Sequence, residues 1–470
     1  MLSIKIQSIL FYLLTPLVLL IPAFYNGYPL VYSDSGTYIR SGIELILPPD
    51  RPIMYGLLIQ SVDFNFTLWP IIYIQAFLVN LILWKLIALV TDKFSHKKYL
   101  LFIIPLSYLS SLGWYTSQIM PDIFTFIAVG SSILLFLQKK QRLWKKVLYS
   151  LIIIVSINVH FSNFPIVFIT MIIMFIVLKW KKILLVKYSI ITPMIALFSS
   201  IICGIFINLA IGNTTKINQG SHVYLMGKMI DSGVLKSFLD DNCQTNKYIF
   251  CACKDSLPID NRDLLWNYNG PLYQHGGWEK TAKPYNQILI AILKSPKHFS
   301  LFLYNSFIAT ATQLFQNNLG SGLESNYFRQ MDSPPSIEIN KHYQFELNQY
   351  LQSRQNGNLW GQELNLETPN LIQNILFYIS SFFILMFFLS KRIRAILSLN
   401  LKVLVVFLLF SVLSNALVVS FLANTYDRLQ SRISWVIIFS FMLIVVLHGK
   451  KIGQFLFGKI SIFADSRKIE

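Results

Sequence analysis

Residues 188–209 read YSIITPMIALFSSIICGIFINL, an uncharged and largely apolar run that is long enough to cross a bilayer as one helix. Further apolar runs recur along the chain, and several of them are shorter, with indistinct ends. We interpret each run as a transmembrane helix, and the pattern therefore predicts an all-α polytopic membrane protein with about ten spans. The predicted spans are residues 7–24, 68–91, 99–113, 121–138, 147–159, 165–178, 188–209, 370–390, 401–421 and 433–448.

The composition agrees with a membrane location. The chain has 470 residues, of which 54% are hydrophobic and only 13% are charged. Soluble proteins carry about 25% charged residues. These values exclude a disordered protein, a coiled coil and an ordinary cytosolic enzyme.

The net charge of +18 is distributed by membrane side rather than gathered in one patch. If the N-terminus is cytoplasmic, the segments on that side hold 22 Lys and Arg against three acidic residues. The short segments on the opposite side hold four basic and six acidic residues. This is the positive-inside pattern. It predicts a multi-pass plasma membrane protein with both termini in the cytoplasm, and it gives no support for a nucleic-acid partner. We expect the membrane to be a bacterial inner membrane.

The spans divide the chain into three parts. Residues 1–209 hold seven spans and a first outside loop, 25–67. Within this loop the stretch 53–62 is apolar but too short to cross, and such stretches form interfacial helices or pack as re-entrant pieces. We therefore expect the loop to form one or two short helices on the outer surface. Residues 210–369, here called the polar region, are predicted to be an extracytoplasmic domain. Residues 370–470 hold three more spans. No internal repeat relates the two membrane parts, which disfavours a transporter built from repeats.

Three of the four cysteines lie in the polar region. Cys243 and Cys251 close a short loop in a compartment that we predict to be oxidising, so a disulfide between them is the first choice. Pairing of Cys243 with Cys253, free thiols and a metal site remain alternatives. Cys203 lies in a span, where we expect it to pack as a small apolar residue.

Two carboxylates stand beside predicted spans on the outer side. Asp34 lies in the first loop, and Asp122 follows Pro121 at the start of the fourth span. Carboxylates near a membrane interior are costly unless they have a role or a partner. Together they could supply a general base and ligands for a divalent cation, Mg or Mn. Ordinary turn chemistry at Asp34 and a helix-dipole contact at Asp122 explain them equally simply.

Basic residues are scarce on the outer side, which draws attention to Arg51, Arg428 and Arg432. In a helix Arg428 and Arg432 share one face, and two guanidinium groups can hold a phosphate. The alternative is that these arginines reach toward lipid headgroups. His160, at the end of the fifth span, is a candidate base or ligand, although a hydrogen-bonding role at a span end explains it as well.

Aromatic residues and amides alternate in the polar region in a way that is compatible with a sugar-binding surface. Aromatic faces stack on sugar rings, but packing in the core of a small domain explains the tryptophans equally well. The residues are Trp266, Asn267, Asn269, Gln274, His275 and Trp278.

Part of this layout resembles the GT-C superfamily of polytopic glycosyltransferases. The resemblance depends on Asp34 in Ser33-Asp-Ser-Gly-Thr-Tyr38, on Arg51-Pro-Ile-Met-Tyr55, on Asp122 at the fourth span, and on the large outside region. Many members carry a paired Asp-Glu where this chain has Asp34 alone. The outside arginines and histidine are also similar to those of O-antigen ligases, a comparison that would put Arg428, Arg432 and His160 ahead of Asp122.

The resemblance implies a transferase that moves a sugar from a polyprenyl-phosphate donor to a hydroxyl of a saccharide, lipid or protein acceptor, among membrane lipids and without ATP. Asp34 would act as general base with Asp122 as a second catalytic carboxylate. Arg51, Tyr55, Arg428, Arg432 and His160 would bind the donor and its phosphate. A lipid-linked saccharide flippase or transporter is the competing class, and a membrane-anchored receptor ranks below it.

Overall fold

The computed structural model describes residues 2–91, 94–138, 141–182, 189–319, 322–323, 330–357 and 363–465. Within these ranges the regular structure is helical, with one isolated parallel β-bridge between Leu30 and Gln118. The predicted all-α class is therefore confirmed for the described chain. Residue 188 of the seventh predicted span and residues 466–470 of the C-terminal part lie outside the described residues.

The first part of the chain contains eleven α-helices. They are α1 (Leu2–Leu19), α2 (Ile21–Asn26), α3 (Ser33–Glu44), α4 (Met54–Asp63), α5 (Trp69–Val90), α6 (His96–Leu109), α7 (Ser111–Thr116), α8 (Phe124–Leu137), α9 (Leu143–Val159), α10 (Asn163–Trp180) and α11 (Ile191–Gly212). A short 3-10 helix, Pro121–Ile123, leads into α8.

The polar region and the C-terminal part complete the list. The polar region contains α12 (Ser221–Asp231), α13 (Val234–Asn242), α14 (Asn261–Trp266), α15 (Pro271–Gln274), α16 (Gly277–Lys280), α17 (Ala282–Lys294), α18 (Pro296–Leu314), α19 (Pro334–His342) and α20 (Gln344–Leu351). The last part contains α21 (Glu367–Leu389), α22 (Lys391–Ile396), α23 (Leu399–Leu422) and α24 (Asp427–Asp465).

Each predicted span falls mainly on a helix, but the helices differ in length. Six of them, α5, α10, α11, α21, α23 and α24, are long and apolar enough to cross a membrane. The chain is therefore a membrane protein with six candidate spans in the described residues. Helices α1, α6, α8 and α9, which are not among these six, carry the other four predictions, so a total of ten crossings stays a prediction.

Two predicted spans are interrupted in the structure. The first run gives α1 and then, after Leu20, the short α2. The third run breaks at Ser110, whose hydroxyl accepts a hydrogen bond from the backbone N–H of Leu112 and so begins α7. Serine caps a helix start well because its side chain satisfies a backbone donor that has no partner within the helix.

Helix α8 lies at the centre of the bundle. Every residue from Phe124 to Phe136 is buried, and α8 packs against α5, α9 and α10. A helix that is apolar on all sides is stable only when neighbours cover all sides. Helices α11 and α21 are the opposite case, because they leave large apolar side chains such as Ile195, Phe206, Phe382 and Leu389 exposed, as lipid-facing helices do.

The polar region packs in two directions. Helices α12 to α18 surround an apolar cluster of their own, which includes Val223, Phe238 and Tyr285. Helix α19 instead packs on α3, and Ile339 and Tyr343 belong to the main cluster of the bundle. The second half of the polar region is therefore part of the wall around the first loop.

The first loop is fixed between these parts by backbone contacts. The N–H of Leu30 donates to Ser117 O at 2.9 Å, and the N–H of Ile119 donates to Leu30 O at 2.8 Å. These bonds bring the start of α3, with Asp34, beside the segment that carries Asp122. Two helices, α3 and α4, form within the loop, as the sequence predicts.

Candidate active site

Asp34 lies in the first turn of α3, not in an open turn. Tyr32 is the N-cap residue, and the Ser35 hydroxyl accepts a hydrogen bond from the Tyr32 N–H at 2.9 Å. The same hydroxyl donates to Ile119 O at 2.8 Å. These bonds fix where α3 begins, and they therefore fix the position of Asp34 in its first turn.

Two guanidinium groups hold the Asp34 carboxylate, one on each oxygen. Arg51 Nη1 lies 3.1 Å from Oδ1, and Arg428 Nη1 lies 3.3 Å from Oδ2. The side chains of Asp34 and Arg428 are 19% and 18% exposed, and that of Arg51 is 8% exposed. We call Asp34, Arg51, Arg428 and Asp50 the outer charged cluster, because solvent can reach it.

Neighbouring groups hold both arginines in place. The Arg51 guanidinium lies 5.2 Å from the centre of the Tyr38 ring, and that of Arg428 lies 4.2 Å from the centre of the Tyr32 ring. Asp50 also accepts from Arg51 through Nε at 2.8 Å and through Nη2. Stacking on an aromatic face steadies a guanidinium group without using its donors.

The charges of the outer cluster set the protonation of Asp34. Burial alone raises the pKa of this carboxyl, but the positive charges of Arg51 and Arg428 outweigh burial, so the pKa lies below its usual value. Asp34 is consequently ionised at neutral pH. A small cleft of about 10 Å³ beside the cluster, with room for about one water molecule, is lined by Arg51, Phe161, Asn208 and Gln219 among others.

A second set of charges, the inner charged cluster of Asp122, Arg432 and His160, lies deeper. The side chains of Arg432 and Asp122 are 0% and 2% exposed, and Arg432 Nη1 lies 3.5 Å from Asp122 Oδ1. Asn415 Oδ1 accepts from Arg432 Nε at 3.1 Å and from Nη2 at 2.9 Å. The other Asp122 oxygen is buried without a hydrogen-bond partner among the described residues.

His160 is neutral in this cluster. Arg432 Nη1 lies 3.4 Å from His160 Nε2, and because a guanidinium only donates, Nε2 must be the acceptor. The ring proton then lies on Nδ1, which is 2.8 Å from Ser162 Oγ. Burial and the nearby charge of Arg432 lower the pKa of His160 to about 3. A histidine with this pKa is a weak base at neutral pH.

Tyr55 is close to the outer cluster, but its hydroxyl is already used. It is fully buried, its ring centre lies 5.0 Å from that of Tyr38, and its hydroxyl donates to Gln75 Oε1 at 2.6 Å. Tyr55 therefore supports Tyr38 from behind. Contact between Tyr55 and a phosphate stays a prediction.

The carboxylates of the two clusters do not fit a resident divalent cation. Within the described residues, no group of three or more His, Cys, Asp and Glu side chains has the spacing of a metal site. Both oxygens of Asp34 face guanidinium groups, and Asp122 faces Arg432. Mg and Mn ions bind to oxygen ligands, and guanidinium charges at this distance from the carboxylates would repel a bound cation.

Several residues of these clusters are not among the sequence candidates. Two of them could be recognised from the sequence, because Asp50 directly precedes Arg51 and Asn415 is an amide within an apolar span. Tyr38 ends the motif that begins at Ser33, but no pattern in the sequence predicts that its ring or that of Tyr32 lies under a guanidinium group, because only the fold brings them together. In the polar region a disulfide joins Cys243 to Cys251, and Cys253 is a free thiol.

Comparison of the chain with protein-family models, with curated proteins and with solved structures gives no match. The functional argument therefore depends on the geometry of the two clusters.

Proposed function

We propose that this protein is a membrane glycosyltransferase that moves a sugar from a polyprenyl-phosphate donor to an acceptor hydroxyl at the extracytoplasmic face. The observation that carries the proposal is the outer charged cluster. A partly exposed carboxylate lies between two arginines, one from the first loop and one from the start of α24. The chemistry needs these two elements together, a base for the acceptor and positive charge for the phosphate.

The proposed reaction uses the arginines first. The donor phosphate binds Arg51 and Arg428 in place of Asp34, which frees the carboxylate. The acceptor hydroxyl oxygen then forms a bond to the anomeric carbon while the bond from that carbon to the phosphate oxygen breaks. Asp34 takes the hydroxyl proton, and the electron pair of the broken bond remains on the phosphate. A single displacement of this kind inverts the anomeric configuration.

The distribution of charge favours this reaction over transport through the bilayer. A transporter needs polar groups near the midplane, on helices that face each other. The central helix α8 carries no charged residue, and its buried surface is largely apolar. The two charged clusters lie instead at helix ends, where a lipid-linked phosphate would be held.

Exposure favours one of the two glycosyltransferase mechanisms. A mechanism of the O-antigen-ligase type would use Arg428, Arg432 and His160, but Arg432 is fully buried and His160 accepts a hydrogen bond from it. We therefore assign the substrate contacts to the outer cluster and a positioning role to the inner one. The positive-inside pattern supports an extracytoplasmic polar region, with both termini in the cytoplasm.

The donor class can be tested with the purified full-length protein in detergent. The protein is incubated with undecaprenyl-phosphate hexoses that carry a radiolabelled sugar, and in parallel with the same hexoses on nucleoside diphosphates. We expect label to move to an acceptor only from the lipid-linked donors. Transfer from the nucleotide sugars, or turnover of no lipid donor by well-folded protein, would contradict the proposal.

A further inference from the structure

A row of aromatic rings leads from the surface of the polar region toward the outer charged cluster. The ring centres of Trp266 and Trp278 are 6.5 Å apart, and those of Trp278 and Tyr224 are 5.7 Å apart. We call these three residues the aromatic ribbon. Beside its outer end the Tyr268 and Tyr273 rings lie 4.8 Å apart.

The outer end of the ribbon is exposed and carries amides. Trp266 is 47% exposed and Tyr268 is 74% exposed, although both are large aromatic residues. The side chains of Asn267, Asn269 and Gln274 on the same segment are also exposed. Trp266 is thus not a core tryptophan, and the core-packing interpretation fails for this residue.

Local hydrogen bonds hold this surface in one conformation. The Tyr273 hydroxyl donates to Leu265 O at 3.0 Å, and Gln274 Nε2 donates to Asn269 O at 2.7 Å. The Asp260 carboxylate caps α14 by accepting from the Asp263 N–H at 2.8 Å. Rings that are fixed before a ligand arrives lose little entropy when it binds.

The middle ring of the ribbon, Trp278, lies beside the loop that carries Arg51. A Cβ atom on Gly220 would lie 2.6 Å from Pro49 O and 2.8 Å from Cζ3 of Trp278, so this glycine allows the loop and the indole to meet. Tyr224, the last ring, packs with Trp278 against the apolar cluster of the polar region. The ribbon therefore runs from the exposed Trp266 to the side of the polar region that meets the loop carrying Arg51.

The aromatic ribbon and the amides beside it fit a neutral saccharide better than a lipid surface or a charged partner. Aromatic faces stack on sugar rings, and exposed amides both donate and accept the hydrogen bonds that sugar hydroxyls make. Of the charged residues at the start of α14, Arg262 pairs with Asp260 at 3.1 Å, and Asp263 accepts a hydrogen bond from Asn267 at 2.9 Å. The polar region holds 13 basic and 13 acidic residues, so it has no net attraction for an anionic surface.

We propose that the aromatic ribbon binds an oligosaccharide acceptor and directs its terminal hydroxyl toward Asp34. This inference, which depends on the proposed function, names the acceptor class as saccharide. The ribbon binds the acceptor, and the outer charged cluster binds the donor.

Saccharide binding is tested first without any donor. Labelled full-length protein in detergent is applied to an array of neutral glycans, and the glycan with the strongest signal is then titrated by calorimetry. We expect Tyr268→Ala and Trp266→Ala each to weaken its binding about tenfold or more. Phe345→Ala, at an aromatic residue that is 86% exposed on α20, is the matched control and should bind as wild type does.

Transfer kinetics then separate this inference from the proposed function. Tyr268→Ala should raise KM for the saccharide acceptor and leave KM for the lipid donor unchanged. Binding of glycans without any transfer would retain the ribbon as a saccharide site and refute the transferase. Three results would overturn the inference. They are transfer that the Trp266 and Tyr268 substitutions do not affect, an array on which no glycan binds, and self-association that depends on Trp266 in the absence of glycan. Tyr268 is largely exposed, and an unchanged Tm shows that its variant is folded.

Discussion

Asp34 is held in its ionised form by two guanidinium groups that a bound phosphate would also attract. In the free protein this makes it a weak base, because its pKa lies below the usual value. A donor phosphate that draws Arg51 and Arg428 to itself reduces their effect on Asp34. The proton affinity of the base then rises at the step that needs it, so donor binding and base strength are coupled.

Replacement of Arg428 by glutamine tests this coupling. Arg428→Gln removes one of the two positive charges, and a hydrogen bond to a charged group contributes about 1.5–3 kcal/mol. We expect KM for the lipid donor to rise about tenfold or more, with a lower kcat. Arg40→Gln, at an arginine on α3 that is 59% exposed and pairs with Glu44, is the control. An unchanged donor KM in Arg428→Gln would remove Arg428 from the phosphate site.

The neutral state of His160 leads to a prediction of how the stability of the folded protein depends on pH. Its pKa is lowered to about 3 in the folded protein and is about 6.5 in the unfolded chain. Between these values the unfolded state binds the extra proton, so stability must fall as the pH falls below about 6.5. From pH 7 to pH 5 the loss is about 2 kcal/mol.

The measurement is Tm in detergent between pH 7 and pH 5 for wild type and His160→Gln. Glutamine keeps a hydrogen-bond acceptor for Arg432 but does not titrate, so its Tm should fall less on acidification. The two curves would remain parallel if His160 were protonated in the folded state, and the neutral assignment would then be wrong.

The sequence identifies the charged residues better than their partners. Asp34, Arg51 and Arg428 stand out because charges are rare on the outer side, and the fold brings these three together. Arg428 contacts Asp34, which lies 394 positions earlier in the sequence, and only tertiary packing brings the two side chains together. The stacking of Arg428 on Tyr32 depends on the same packing, and no local pattern reports it.

At the scale of elements, a close approach of two glycines sets the angle between α3 and α4. A Cβ atom on Gly56 would lie 2.5 Å from Tyr38 O and 2.6 Å from the backbone nitrogen of Gly42. Both atoms belong to the backbone and cannot give way easily. The contact matters for the site, because the Tyr38 ring lies beneath Arg51.

Gly56→Ala should therefore separate α3 from α4. Overpacking of a tight contact costs about 1–3 kcal/mol, and we expect a lower Tm together with weaker transfer. Gly453→Ala on α24 is the matched control, since nothing lies within 4 Å of a Cβ atom there. That variant should be as stable as wild type or gain up to about 1 kcal/mol from helix propensity. A Gly56→Ala protein with wild-type Tm would refute the close packing.

Helix α24 illustrates what periodicity can and cannot predict. Spacing of four residues correctly predicts that Arg428 and Arg432 follow each other along one side of a helix. It does not predict that Arg428 contacts the partly exposed Asp34. Nor does it predict that Arg432 is buried in contact with Asn415 and Asp122. The difference arises one turn deeper in the bundle, where α23 covers the helix.

At the scale of the whole molecule, hydropathy predicts the class well and the number of crossings less well. Each apolar run falls mainly on a helix, because a backbone in lipid must satisfy its own hydrogen bonds. Six helices are long and apolar enough to span in the described chain. A short apolar helix such as α6 or α9 has the same hydropathy whether it crosses the membrane or packs within the bundle. Hydropathy alone therefore does not determine the number of crossings.

The polar region was the least predictable part of the chain. Its first half has an apolar cluster of its own, whereas α19 and α20 join the wall of the first loop. The Tyr28 hydroxyl donates to Glu346 Oε2 at 2.8 Å, and Lys341 pairs with Glu44 at 2.7 Å. These contacts link residues about 300 positions apart, and only the assembled bundle brings them together.

The most direct test of the central claim compares Asp34→Asn with wild type in sugar transfer from undecaprenyl-phosphate hexoses. Asparagine keeps the shape of the side chain and removes the base. Asp255→Asn, at a carboxylate that is 79% exposed in the polar region, makes the same chemical change away from the site. We predict that kcat falls about 10²- to 10⁴-fold in Asp34→Asn and stays at the wild-type value in Asp255→Asn. Undiminished transfer by a folded Asp34→Asn protein would contradict the assignment of Asp34 as the base.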